Sequence, residues 1–333
     1  MQAISHNRRA MMRAMALAPT ALLGVGGTSA VRAADATFPS RTVRLIVPFS
    51  PGSNTDALAR LYGKALSEQF KQSVVIENRP GGNGIPAVQA VLSAPADGHA
   101  LLFTGNSALT TNVAVLKKLP YNPLTDLAPV SLVGGQFLLV AVPANSPYKT
   151  LQELFADARR RPGALNHGAG SPSYALWGAW LNELAGIKTT NILYKGAGEV
   201  LTAVAGGQVD YAVVDASASS EHVKGGRIRA LGYTGAERYA VLPEVPTMKE
   251  AGLPGFNPMA WSAVAVSAKT PETVQAGLVA ALVKAGGSPE VRAFMERYAM
   301  KPLTPGPQEM RRFQVEEIER WKRLIASTGI QLE

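Results

Sequence analysis

The sequence predicts an α/β chain of two lobes joined by a hinge, each lobe built on a mainly parallel, doubly wound sheet. Three observations predict it. Short apolar runs alternate with amphipathic helical stretches, the alternation starts again in the middle of the chain, and Gly/Ser/Asn-rich loops recur between a strand and the helix after it. The chain has 333 residues, 47% of them hydrophobic, which is enough for two cores. Charged residues make up 17%, a composition that folds.

The first strand is Val43 to Val47, a short apolar run of the buried kind. Pro48 to Asn54 turns, with Ser53, Asn54 and Thr55 as alternative helix caps. Leu58, Leu61, Tyr62, Ala65 and Leu66 fall on one face of the helix that follows. Val74 to Glu77 is a second strand, Pro86 to Leu92 a helix, and Ala100 to Phe103 a third strand. The rhythm resumes with a helix over Thr150 to Arg161, a polar loop over Asn166 to Ser173, and a helix over Tyr174 to Leu184. Strands follow at Asn191 to Tyr194, Val209 to Val214 and Ile228 to Tyr233, then Ala260 to Val266. Three helices close the chain, over Pro271–Gly286, Pro289–Tyr298 and Pro307–Thr328, and are expected on the first lobe. Gln136 to Pro143 carries the chain across and Phe256 to Val266 returns it, a two-crossing hinge. The expected division is residues 35–140 with 259–333 in lobe 1 and 141–258 in lobe 2.

Residues 1–34 read as a cleavable export signal. Arg8, Arg9 and Arg13 precede an apolar run from Met15 to Val25, and small residues lead to cleavage near Ala33 or Ala34. Arg8-Arg9 also fits the core of a twin-arginine signal, so Sec and Tat export both stay open. Losing Arg8, Arg9, Arg13 and Arg32 lowers the formal charge from +9 to +5, a mildly basic surface that steers anions. No basic stripe interleaved with aromatics marks a nucleic-acid surface. Arg159-Arg160-Arg161 ends a helix, where cations complement the dipole.

The chain has no cysteine, which excludes disulfides and thiolate metal sites. It contains no G-x-S-x-G elbow, Walker A loop or complete G-x-G-x-x-G. Its four histidines, His6, His99, His167 and His222, lack ligand spacing, so no metal, cofactor or catalytic residue is expected. What recurs instead is loops rich in hydroxyls and amides at Phe49–Thr55, Thr104–Thr111, Gly168–Ser173 and Lys195–Gly198. Strand ends in open α/β sheets face the ligand crevice, and helix starts there present free N–H groups to an anion.

These loops carry a family resemblance. Val47-Pro48-Phe49-Ser50-Pro51-Gly52 with Asp56, Val75-Ile76-Glu77-Asn78-Arg79-Pro80-Gly81 and Asp97-Gly98 stand in order. Leu119-Pro120-Tyr121-Asn122-Pro123, Tyr194-Lys195-Gly196 and Gly206-Gly207-Gln208-Val209-Asp210 follow. Last come Leu242-Pro243-Glu244-Val245-Pro246-Thr247 and Glu250-Ala251-Gly252-Leu253-Pro254-Gly255. Over about Pro39 to Ile330 the chain resembles the Bug-type substrate-binding proteins of tripartite tricarboxylate transporters. The resemblance implies a periplasmic type II flytrap, a monomer without cofactor, that delivers a small carboxylate to inner-membrane transporter subunits. It implies carboxylate contacts, partly through water, at Phe49, Ser50, Pro51 and Gly52, with Ser53 beside them as a further candidate, and further contacts at Asn106, Ser107, Ser171, Ser173 and Asp215. Ser53 stands where the family often has glycine, and the helix start at Ser171–Trp177 lacks the usual histidine.

Several readings stay open at this level. The ligand is an aliphatic di- or tricarboxylate, an acidic amino acid or an aromatic acid such as terephthalate. Tyr174 and Trp177 are core residues or a stacking platform for an aromatic acid. Asp215 is a helix cap or a ligand contact. The rival functions are an adaptor for a membrane sensor kinase and, further off, a hydrolase using Ser171, His167 and Asp215.

Overall fold

The protein is described here by a computed structural model covering residues 38–330. The export signal and its cleavage near Ala33 or Ala34 lie outside the described residues. In chain order the elements are β1 (Val43–Val47), α1 (Asn54–Phe70), β2 (Val74–Asn78), α2 (Ile85–Leu92) and β3 (Ala100–Gly105). A π-helical turn over Ser107–Thr111 leads into α3 (Asn112–Val115) and then β4 (Leu127–Pro143). Next come α4 (Leu151–Arg160), β5 (Asn166–Ala169), α5 (Pro172–Ala185), β6 (Thr190–Leu193), α6 (Ala197–Ala205), β7 (Tyr211–Asp215), α7 (Ala216–Lys224) and β8 (Ile228–Tyr233). The chain ends with β9 (Met259–Ser267), α8 (Glu272–Gly286), α9 (Pro289–Arg297), β10 (Met300–Lys301) and α10 (Pro307–Thr328).

The strands run in the order β2-β1-β3-β9-β4-β7-β5-β6, with β8 and β10 also on β4. Two parallel sets, β2-β1-β3 and β6-β5-β7, lie on either side of an antiparallel centre. The expected mainly parallel sheet is therefore mixed, because β9 returns from the far half antiparallel to β3 and β4. The 17-residue strand β4 belongs to both halves. Its residues up to Phe137 pair with β9, and those from Leu138 on pair with β7 and β8.

Apolar layers cover both faces of each half. In the first, Leu58, Tyr62, Leu278 and Val291 fill one face, and Val88, Val91, Trp261 and Met310 the other. In the second, Leu154, Phe155, Trp177 and Trp180 oppose Val200, Val204, Tyr239 and Leu242. Helices α8 and α9 pack on the first half, as expected. Helix α10 does not stay there. Its Met310 enters the core of the first half, whereas Trp321 and Leu324 enter that of the second, so it straps the two together.

Two further expectations are corrected. Asn166–Ala169 is strand, not loop, held between β6 and β7. Thr104–Thr111 is not a loop either. Strand β3 runs on to Gly105, and the π-helical turn takes the rest.

Candidate functional site

Parallel strands send their C-terminal ends to one edge, and each half has such an edge. In the first, the loops after β1 and β3 lie side by side: a Cβ on Gly105 would stand 3.8 Å from the Phe49 ring. In the second, a Cβ on Gly170 would meet the Gly196 and Ala197 backbone at 2.9 Å, so the loops after β5 and β6 are also adjacent. The two edges meet where Thr111 Oγ1 and Ser173 Oγ stand 2.9 Å apart, both buried. Phe49, Ser50, Pro51, Gly52 and Ser53 thus occupy the edge of one half, and Ser171, Ser173, Tyr174 and Asp215 that of the other.

The first loop is shaped by one buried carboxylate. Ser53 caps α1 by accepting the Asp56 amide at 3.2 Å. Asp56, 2% exposed, turns back and accepts the Gly52 amide at 2.9 Å. Asn78, at the end of β2, donates to Asp56 Oδ1 at 2.8 Å and to the Phe49 carbonyl at 3.0 Å. Arg60, one turn along α1, holds both Asp56 oxygens. Burial alone would raise the Asp56 pKa, but the hydrogen bonds from Arg60, Asn78 and Gly52 outweigh it and hold the group below the usual carboxylate range. Gly52 supplies the turn with φ +84°, a region L side chains rarely adopt. Its amide is engaged by Asp56, which leaves the amides of Asn54 and Thr55, in the first turn of α1, without intrahelical partners. Ser50 and Pro51 are exposed at the rim.

Asn106 is a brace. Its Oδ1 accepts the Trp261 amide at 3.1 Å, and its Nδ2 donates to Glu317 Oε1 at 3.4 Å. Ser107, half-buried, opens the π-helical turn. Glu317, which the sequence reading missed, is 4% exposed on α10 and also accepts Thr110 Oγ1 at 2.6 Å and Trp261 Nε1 at 3.4 Å. Burial raises its pKa against those hydrogen bonds. One carboxylate thus ties the loop after β3, strand β9 and the strap helix.

At the edge of the second half, Ser171 holds the N-cap position of α5 without a side-chain cap bond. Trp177 is 1% exposed and belongs to the core, and Tyr174 packs edge-on against it at 4.7 Å. Tyr174 is half-buried and interacts through its hydroxyl with Asp215. Burial, then the Asp215 charge, drives the phenol well above its ordinary pKa. Asp215 sits at the N-cap position of α7 but forms no side-chain cap bond, and its Oδ1 is shielded from solvent without a hydrogen-bond partner. Burial raises its pKa, and the Tyr174 hydroxyl opposes the shift.

His167 has no free nitrogen. Its Nε2 accepts the Val213 amide at 3.3 Å, and Nδ1 faces Asn191 Oδ1 at 3.0 Å. Burial pushes it down to about 4, so the ring is neutral and structural. A hydrolase built on Ser171, His167 and Asp215 loses its base. Among the described residues no cluster of His, Asp or Glu is arranged to hold a metal. None of the described helices is long and apolar enough to cross a membrane.

The profile of the "Tripartite tricarboxylate transporter family receptor" matches residues 58–330. BugT of Bordetella pertussis is 33% identical over 323 residues, covering 93% of this chain and 96% of its own. Two solved structures from Rhodopseudomonas palustris are each 32% identical. Rpa4515 with adipate superposes with a TM-score of 0.76, covering 88% of this chain and 99% of its own. MatC with bound malate gives 0.73, covering 86% and 100%. The chain belongs to the tripartite tricarboxylate transporter receptor family, a family of periplasmic solute-binding proteins and not of enzymes.

Proposed function

We propose that the protein captures a small aliphatic carboxylate in the crevice and delivers it to the membrane subunits of a tripartite transporter. The observation that carries this reading is the Thr111–Ser173 contact, which brings together the two edges where the parallel strands end. One ligand carboxylate docks on the first turn of α1, at Asn54 and Thr55, with Ser50 and Ser53 as flanking hydroxyls. The other end of the ligand meets Ser171, Ser173, Tyr174 and Asp215. Adipate and malate, named with the two relatives of known structure, are both aliphatic diacids. Trp177 is buried in the core, which removes it as a stacking platform and weighs against an aromatic acid.

The halves act as the lobes of a flytrap, residues 35–140 with 259–333 in one and 141–258 in the other. Helix α10 is anchored in both. Residues 1–34 are the export signal, and the mature chain works as a monomer. Ligand energy favours the closed arrangement, and closure creates the surface read by the transporter.

The test is calorimetric titration of the chain lacking residues 1–34, unfolded and refolded to strip any bound acid, with adipate, malate, glutamate and terephthalate. One aliphatic acid is expected to bind at a single site with at least micromolar affinity. Absence of heat with every acid, from protein that has recovered its native melting transition, overturns the proposal.

A further inference from the structure

We propose a second binding site, outside the crevice, for a small amphipathic aromatic anion such as an aryl carboxylate or sulfonate. It is a cavity of about 540 Å³ on the flank of the hinge, within the range of small-molecule sites. Its walls come from both halves. Met259, Leu303 and Phe313 pack on a core of the first half, while Phe137, Trp180 and Phe256 pack on the cores of the second.

Three cations line the same cavity: Lys249 after β8, Lys301 in β10 and Arg320 on α10. Among the described residues, none of the three has a carboxylate within ion-pair distance, although the surface elsewhere pairs Arg41, Arg44, Lys64 and Arg238 with acids. The Arg320 guanidinium lies over the Trp180 ring, 4.3 Å from its centroid. The one acid in the wall, Glu317, is already bound by Thr110, Asn106 and Trp261. Aromatic walls beside Lys249 and Lys301, which have no ion-pair partner among the described residues, select a flat apolar body that carries a negative group. Because both halves supply walls, an occupant is sensitive to their relative setting, and its affinity and that of the crevice ligand are reciprocally linked.

The test uses 8-anilinonaphthalene-1-sulfonate, an aromatic anion that fluoresces on burial, titrated into the chain lacking residues 1–34. Saturable one-site enhancement is expected. The double variant K249E/K301E changes two exposed side chains and leaves the fold intact, and it is expected to weaken binding at least tenfold, as is Arg320→Glu. Pro51→Trp, which obstructs the crevice loop, is expected to leave the dye affinity unchanged. Unsaturable binding, equal affinity in K249E/K301E, or a loss confined to Pro51→Trp each overturns the site.

Discussion

Thr111 Oγ1 and Ser173 Oγ share a hydrogen bond of 2.9 Å across 62 residues of sequence, one at the edge of the first half and the other at the start of α5 in the second. It is a buried polar clasp between the two edges. A hydrogen bond of this kind contributes about 1 kcal/mol, and Thr111→Val removes it while keeping the shape. Affinity for the bound acid is expected to fall roughly fivefold. The melting temperature of the ligand-free protein should barely move if the clasp forms only as the halves close. Titration calorimetry beside a melting curve measures both.

Asp56 shapes the loop after β1 and supports the fold at once. Asp56→Ala leaves the Gly52 amide and Asn78 without their acceptor, and is expected to destabilise the protein by roughly 2 kcal/mol. Because its folded-state pKa is lowered, this carboxylate stabilises at neutral pH and its contribution is lost as pH falls below about 4. Urea unfolding at pH 7 and pH 3 should show a large difference between wild type and variant at pH 7 and a smaller one at pH 3.

Asp215 has the opposite sign. Burial raises its folded-state pKa, so the folded protein takes up a proton more readily than the unfolded chain, and stability from this group grows as pH falls. At neutral pH the shielded charge is a penalty. Asp215→Asn is expected to raise the melting temperature by roughly 2 °C at pH 7.5. It should also strengthen binding of a diacid, whose second carboxylate no longer faces a charge. In the wild type, diacid affinity should rise as pH falls towards the raised pKa of Asp215, and Asn at position 215 should flatten that slope.

Gly52→Ala probes the turn alone. No atom lies within 4 Å of the added Cβ, so nothing clashes, but φ +84° strains an L residue by about 1 kcal/mol. A small loss of stability is expected, with a several-fold loss of affinity if the loop relaxes from its docking shape. Chemical denaturation and titration of the same sample separate the two.

Much of this was legible in sequence. A cap among Ser53, Asn54 and Thr55, the face Leu58–Tyr62–Leu66 and the helix starts at Pro289 and Pro307 all follow from local rules, and the structure has them, with Ser53 as the cap. Strand β5 was not legible because Asn166-His167-Gly168-Ala169 lacks every β-branched or bulky apolar signal. It is a strand because His167 fits under α5 at Gly178, where a Cβ would stand 2.2 Å from the imidazole. Glu317 hid among the charges of α10. The signal lay in spacing: Phe313, Glu317 and Trp321 are four apart, which puts a carboxylate on the apolar stripe. The Thr111–Ser173 contact has no local signature at all, since only the packing of the halves creates it.

Strand β9 lies between β3 and β4 and arrives more than a hundred residues after either. Until Met259–Ser267 is made, the inner edges of β3 and β4 stay unpaired, and folding of the first half waits on contacts of very high sequence separation. Premature termination before Met259 therefore yields a chain with two open strand edges, a substrate for proteases and a seed for aggregation. In the cell, incomplete copies of this chain are expected to be cleared, so that only finished copies accumulate.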